Sequence, residues 1–381
     1  MSRDHREDSP LRLAYMVDTL VTGGAERLVV TFAKAARNRP DVHLTVFVLS
    51  AGGTPFCAEL EQLGVEVVYL PGKSLIDPVR FFHAVWELKS RSIEYVHAHL
   101  ISSTVVGGYA AALLGIPFAT TIHNVKASTA RVGKARGYLY RSVLRMTRTT
   151  RIAVGQAVAQ AARADTGGRD CIVVPNAVAP DAIASPDVRE TIRAEMGVAR
   201  ETVVIAVGAI IGQKAYDDLL TAFSSVAKHA PDAVLWIAGN APEPDRFENL
   251  QEQSRASGLE EKVKFLGLRR DIPALLRAAD IFVSSSHWEG LPVSVLEAMA
   301  NGLPCVVTDV GDNARVLTET GCPVVPARQP GLLAEALVEM LGDAEARNRI
   351  GRAAQRRVQE QYGVDSWVER LMQIYGEGAR K

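Results

Sequence analysis

Several things are scarce in this sequence of 381 residues, and each scarcity removes a class of protein. There are four cysteines (Cys57, Cys171, Cys305 and Cys322), scattered at spacings that match neither a disulfide framework nor a metal-ligand set, so a reducing compartment fits best. No apolar run is long enough and continuous enough to span a bilayer. The longest, Ser103 to Ile122, is broken by Gly107, Gly108, Gly115 and Pro117 and reads as a buried helix followed by a buried strand. The opening Met1 to Pro10 is polar and charged and has no signal-peptide core. Net formal charge is zero, yet the balance is uneven. Residues 1–180 carry 21 Lys+Arg against 14 Asp+Glu, while 181–381 carry 22 against 29. Much of the first excess lies between Lys126 and Arg151. It reads as a solvated helix face, with contact to an anionic acceptor or to membrane headgroups as the alternative. Nucleic acid is not an expected partner, because this stretch lacks a row of aromatic stacking platforms.

What is present is a regular alternation. Strand-like runs fall at Leu11–Val17, Leu44–Leu49, Val65–Leu70, Tyr95–His99, Phe118–His123, Ile152–Gly155 and Ile172–Pro175. A second series follows at Val203–Ile210, Val234–Gly239, Val263–Leu268, Ile281–Ser285, Pro304–Thr308 and Pro323–Val325. These runs are apolar on both faces and separated by helical segments, which is the signature of parallel strands covered on each side. The length suits two cores, and a proline-rich seam near Pro175 to Pro186 separates the series. The expected fold class is therefore α/β, two Rossmann-like doubly wound parallel-sheet domains facing a cleft, divided as 1–180 and 181–381. Ligands of such sheets bind beyond the carboxyl ends of the strands. The tail from Ala344 to Tyr375 is helical with a break at Gly363. Periodicity does not decide whether the last helix, about 362–381, returns to the first domain.

The strongest chemical signal is Ser284-Ser-Ser-His-Trp-Glu-Gly-Leu-Pro-Val-Ser-Val-Leu-Glu-Ala-Met-Ala-Asn-Gly302. It reads as a strand end, a loop through Glu289-Gly290-Leu291-Pro292, then a helix from about Val293, with Pro292 suited to its first turn. The free N–H groups and dipole of such a helix favour an anion such as a diphosphate. Glu289, on the loop rim, and Glu297, one turn into the helix, suit hydrogen bonds from sugar hydroxyls. A solvated Glu289 and a merely helix-complementing Glu297 are the plainer alternative. In Val207-Gly-Ala-Ile-Ile-Gly-Gln-Lys214 a strand enters a glycine loop and a lysine precedes a helix, placing Lys214 to reach a phosphate as a point charge. Thr22-Gly23-Gly24-Ala-Glu26 is a strand-to-helix turn whose glycines permit close backbone approach. It lacks the three-glycine dinucleotide fingerprint, which argues against a nicotinamide dehydrogenase. Of His97, His99 and His123, the last closes a strand and is the best polar candidate to touch a reacting sugar. A structural, hydrogen-bonded histidine is its plainer reading, and no metal ligand cluster is expected.

Taken together these segments resemble the retaining glycosyltransferases of family 4, which have the GT-B architecture. The supporting matches are Val96-His-Ala-His99, Pro175-Asn-Ala-Val178, Phe265-Leu-Gly267 and Leu275-Leu-Arg-Ala-Ala-Asp280. The resemblance implies an acceptor-side first domain and a nucleotide-sugar-binding second domain, with UDP- or GDP-linked donors as substrate and no cofactor or metal. It implies that Glu297 binds the donor ribose and Glu289 the transferred sugar. Backbone N–H groups at Gly290, Leu291 and Val293 would hold sugar and diphosphate, with Gly23 and Gly24 approaching the same phosphates. Lys214 would neutralise the leaving diphosphate, His123 would touch the sugar near its anomeric carbon, and Leu268 and Arg269 would flank the base. The acceptor would be a glycan, a lipid-linked compound or a small molecule, and the chain cytoplasmic; peripheral membrane contact through basic residues 126–151 stays the alternative reading of that charged stretch. An epimerase of the same architecture and a non-catalytic sugar-nucleotide-binding protein are the alternatives. Three positions depart from the family pattern: Ala209 where arginine is usual, Ala215 where glycine is usual, and Arg315 where many members carry glutamate. Loss of one of two phosphate cations would weaken leaving-group stabilisation by about a few kcal/mol.

Overall fold

The structure, a computed structural model, describes residues 9–21, 23–50, 52, 54–74, 77–125, 133–179 and 182–379. Thr22 of the glycine turn, and Lys126 and Arg131 of the basic stretch, lie outside the described residues. Two compact units emerge, one running to Asn176 and taking in the final helix Val364–Ala379, the other spanning Ala177–Gly363.

The first unit is built on a parallel sheet of β1 (Leu11–Val17), β2 (Val42–Val48), β3 (Glu66–Tyr69), β4 (Tyr95–His99), β5 (Phe118–Ile122), β6 (Thr149–Ala153) and β7 (Ile172–Val173). Their spatial order is β3-β2-β1-β4-β5-β6-β7. In the second unit β8 (Thr202–Val207), β9 (Ala233–Ala238), β10 (Val263–Gly267), β11 (Ile281–Ser284), β12 (Cys305–Thr308) and β13 (Val324–Val325) lie in the order β10-β9-β8-β11-β12-β13. Each expected run yields a strand. The glycine- and proline-bearing ends of several runs fall in loops, Gly155 and Gly239 past the carboxyl ends of their strands and Pro304 and Pro323 ahead of the amino ends, because proline gives the ladder no N–H and glycine weakens it.

Both sheets reverse direction once, between β1 and β4 and between β8 and β11. There the chain winds outward to one side, returns to the middle, and winds outward to the other. The register fixes these central pairs, Leu13 opposite Tyr95 and Ile281 opposite Val204. The gap between diverging connections at such a switch is where this fold opens a ligand crevice.

The Ser103 to Ile122 stretch folds into the helix Ile101–Leu114 and then β5. Glycine lets that helix sit close: a Cβ on Gly108 would stand 2.4 Å from Val143 Cγ1. No helix of the described residues is long and apolar enough to cross a membrane.

The final helix packs on the first sheet. The Tyr375 ring lies 4.9 Å from that of Tyr95, and its hydroxyl shares a 2.6 Å hydrogen bond with Tyr15. Trp367 meets Phe32 edge-on at 6.0 Å. The break at Gly363 separates this helix from Ala344–Gln361.

Candidate functional site

At the switch point of the second sheet, the loops after β8 and β11 are fastened to each other. The backbone N–H of His287 donates to the Gln213 carbonyl at 2.9 Å. Ser285 Oγ donates to the Lys214 carbonyl at 2.8 Å. The helix Tyr216–His229 starts from Ala215, whose φ of 49° is left-handed and whose side chain is buried. A glycine takes that conformation freely, while an alanine pays about 1 kcal/mol for it. Gly208 turns at φ 155°, and a Cβ on it would meet Lys214 Cε at 2.7 Å. The bare glycine leaves room for the lysine stem.

Lys214 Nζ donates to Glu289 Oε1 at 2.7 Å, Ser286 Oγ donates to the same oxygen at 2.7 Å, and Gln213 Nε2 donates to Oε2 at 3.0 Å. Both carboxylate oxygens are engaged. Glu289 is buried rather than standing on an exposed loop rim, as the spacing alone suggested. Burial of a charge is tolerated here because a cation and two neutral donors surround it. Gln213, Ser285 and Ser286 are the residues that sequence reasoning did not single out. Their only signal was adjacency to Lys214 and a run of three serines.

Beyond this cluster the chain enters the helix Val293–Ala300. Pro292 stands one residue ahead of it as the N-cap and has no side-chain group to cap the helix. Its first turn holds no acidic residue, so the positive end of the dipole is not neutralised by its own sequence. Glu297 occupies the fifth helical position and is half-buried, while Gly290, Leu291 and Val293 are buried. The loop is backed by Gly311, with φ 59°. A Cβ there would meet the Gly290 carbonyl at 2.2 Å. Asp312 N–H donates to that same carbonyl at 2.9 Å. Further out, Leu268 is exposed. The Arg269 guanidinium forks onto Asp271 at 2.8 and 2.6 Å, with Glu195 at 3.3 Å.

The switch point of the first sheet is chemically different. Gly23 and Gly24 open the helix Gly24–Ala36. A Cβ on Gly23 would stand 2.3 Å from Glu26 Oε2. Glu26 is buried, which pushes its carboxyl pKa up, and accepts from Thr19 Oγ1 at 3.1 Å. Asp18 accepts from the N–H groups of Ser102 and Ser103 at 3.2 and 2.6 Å, capping the helix Ile101–Leu114.

Beside them His97, His99 and His123 form a chain of rings. His97 bonds to Tyr375 and Thr121, each at 2.7 Å. His99 Nδ1 and His123 Nε2 are 3.0 Å apart. Burial holds the His97 pKa down to about 3 and that of His123 to about 4, so both rings are neutral. Among the described residues no group bonds to His99 Nε2. A buried N–H without a partner is costlier than an idle lone pair. His99 therefore carries its proton on Nδ1 and donates to His123 Nε2, which leaves His123 with its proton on Nδ1.

Two family profiles match the chain in order, that of Glycosyltransferase Family 4 over residues 22–182 and that of the Glycosyl transferases group 1 over 188–357. The Escherichia coli UDP-Gal:alpha-D-GlcNAc-diphosphoundecaprenol alpha-1,3-galactosyltransferase is 27% identical over 330 residues, covering 79% of this chain and 80% of that protein. Mannosylfructose-phosphate synthase of Agrobacterium fabrum is 38% identical over 137 residues, 34% of this chain and 30% of that one. The crystal structure of Anabaena Alr3699/HepE in complex with UDP-glucose superposes with a TM-score of 0.86 at 23% identity, over 96% of this chain and all (100%) of that one. The two profiles, the pair of parallel sheets and the glycine-and-glutamate segment at 289–297 agree, and the chain belongs to the family 4 glycosyltransferases of GT-B architecture.

Proposed function

We propose that this glycosyltransferase is a retaining, metal-independent enzyme that takes a hexose from a UDP- or GDP-sugar and passes it to a glycan, lipid-linked or small-molecule acceptor. The observation that carries this reading is the Lys214–Glu289 pair, joined by Gln213 and Ser286, beside the uncapped amino end of Val293–Ala300. An ammonium and a helix dipole together supply positive charge where a diphosphate would sit, with no step requiring a divalent cation. As the C1–O bond breaks, its electron pair goes to the β-phosphate oxygen, where Lys214 and the helix N–H groups oppose the growing charge.

The carboxylate of Glu289 is held by three donors, which suits it to accept from sugar hydroxyls rather than to attack carbon. With no enzymic nucleophile in play, the acceptor hydroxyl attacks from the face the leaving group departs. Its proton passes to the leaving phosphate oxygen, and the anomeric configuration is retained. Glu297 reads the ribose hydroxyls. Gly290, Leu291 and Val293 hold sugar and diphosphate through backbone N–H groups, while Gly23 and Gly24 lie open for backbone approach to phosphate. His123 offers a neutral Nδ1–H to a sugar oxygen. Exposed Leu268, with the salt-bridged Arg269 plane, flanks the base.

The names of the relatives favour UDP-linked donors, and a diphosphate-lipid acceptor is the first to try. Nucleotide-sugars are made in the cytoplasm, and we place the protein there, which cell fractionation checks. Thermal stabilisation across a panel of UDP-, GDP- and ADP-sugars tests the donor, since a ligand that binds only the folded state raises the melting temperature. A product of β configuration from an α-linked donor would refute retention, and unchanged turnover after exhaustive chelation is the result expected of a metal-independent enzyme.

A further inference from the structure

On the first unit the helix Pro78–Ser90 turns an apolar stripe outward. Val79, Phe82 and Trp86 are spaced i, i+3 and i+7, so they share one face. They are 67%, 64% and 62% exposed. The opposite face, Ala84 and Leu88, is fully buried in the core. The helix is pinned in this orientation by buried Arg80, which donates to the carbonyls of Leu70, Ser74, Leu49 and Gly72 at 2.7–3.1 Å. Side chains of this size fixed in water at three consecutive contact positions mark an interaction surface rather than scattered exposure.

The chemistry of the surroundings selects the occupant. The helix Ile101–Leu114 packs against both Pro78–Ser90 and Lys134–Leu144, so the three form one row on one face of the sheet. They hold a single carboxylate, Glu87, which is buried and paired with His83 and Arg91. Lys89 is exposed at the end of the stripe. On the outer helix Lys134 and Tyr138 are exposed one turn apart, Tyr138 at 69%. The outward face is thus apolar, aromatic and basic; the acid at its edge, Asp77, caps the helix by accepting from the N–H groups of Lys73 and Val79. A second copy of the same face would meet it with like charge.

We propose that this face docks on an anionic phospholipid bilayer, with Phe82 and Trp86 entering the interfacial layer and Lys89 and Lys134 meeting the headgroups. Aromatic side chains settle at that depth, and basic residues near anionic lipid strengthen binding in a salt-dependent way. The surface uses none of the donor-site residues, so it stands or falls separately from the transfer reaction.

The test is flotation of the full chain with vesicles of phosphatidylcholine, alone or with about one third phosphatidylglycerol. The wild-type protein is expected to float with the anionic vesicles, to release as salt rises, and to lose Trp86 emission to brominated lipid. Phe82→Ser with Trp86→Ser should weaken partition at least about tenfold, while the thermal shift with UDP-sugars stays unchanged. Wild type that stays at the bottom of the gradient, or a double variant that floats like wild type, overturns the proposal. A wild-type dimer without vesicle affinity, made monomeric by the double variant, overturns it too and gives the face to a second copy.

Discussion

The two sheet edges use opposite electrostatics. At the second, Lys214 and Glu289 are both charged and hold each other in place. At the first, three histidines are kept neutral by burial, linked ring to ring and to tyrosine and threonine hydroxyls. A charged pair suits a ligand that arrives with charge and leaves with more of it. A neutral donor suits a sugar, which carries none. The contrast also separates the two edges experimentally, because one should answer to the loss of a cation and the other to acid.

Removing the cation is the harshest test. Lys214→Ala should lower turnover by about 10²–10³, the range seen when one preorganised charge at a transition state is lost. It should also cost about 1–3 kcal/mol of stability, since buried Glu289 keeps only Gln213 and Ser286. Equal losses in a stability-matched variant elsewhere would dissolve the distinction. Glu297→Ala should weaken nucleotide binding by about 10²-fold, from two lost charge-assisted hydrogen bonds, read by titration calorimetry. Unchanged affinity would remove Glu297 from the donor site.

Acid should act on the other edge. The folded-state pKa values of His97 and His123, about 3 and about 4, lie below the unfolded value of about 6.5. Below pH 6.5 the unfolded chain binds protons that the folded one refuses, so stability falls as pH drops from about 6.5 toward 4, by on the order of a few kcal/mol. A His97→Gln variant should show a shallower decline in melting temperature over that window; parallel curves would mean the histidines are not the acid-sensitive element.

The mildest effect is expected from Ala209→Arg combined with Ala215→Gly. The pair introduces a second cation and relieves the left-handed alanine; because the new guanidinium must lose its own rotamer freedom to reach phosphate, only part of the few kcal/mol is recovered, and turnover should rise by about tenfold or less. No gain in turnover or donor affinity would show that one lysine and a helix dipole already suffice.

Much of this was legible in advance, and the reasons are local. Leu11–Val17 and Tyr95–His99 are strands at the expected residues, because β-branched and apolar runs bounded by turns have few other uses. The helix after Pro292 begins at Val293 as expected. The exposed face of Pro78–Ser90 was not legible in this way. Its apolar residues look like core by spacing, and the sequence offers no sign that Phe82 and Trp86 face water while Ala84 and Leu88 do not. Period alone marks which residues share a face, not which face is covered.

By itself the sequence determined the two series of parallel strands, the glycine turns at their carboxyl ends and the family to which the chain belongs, since each is written in runs of fewer than about twenty residues. Only the tertiary structure decided that Lys214 meets a carboxylate 75 residues away, that Glu289 is buried, and that three histidines are neutral. Those outcomes depend on which strands lie side by side and on how much water their packing excludes. Neither quantity is encoded in any one segment; both arise when distant segments are brought together.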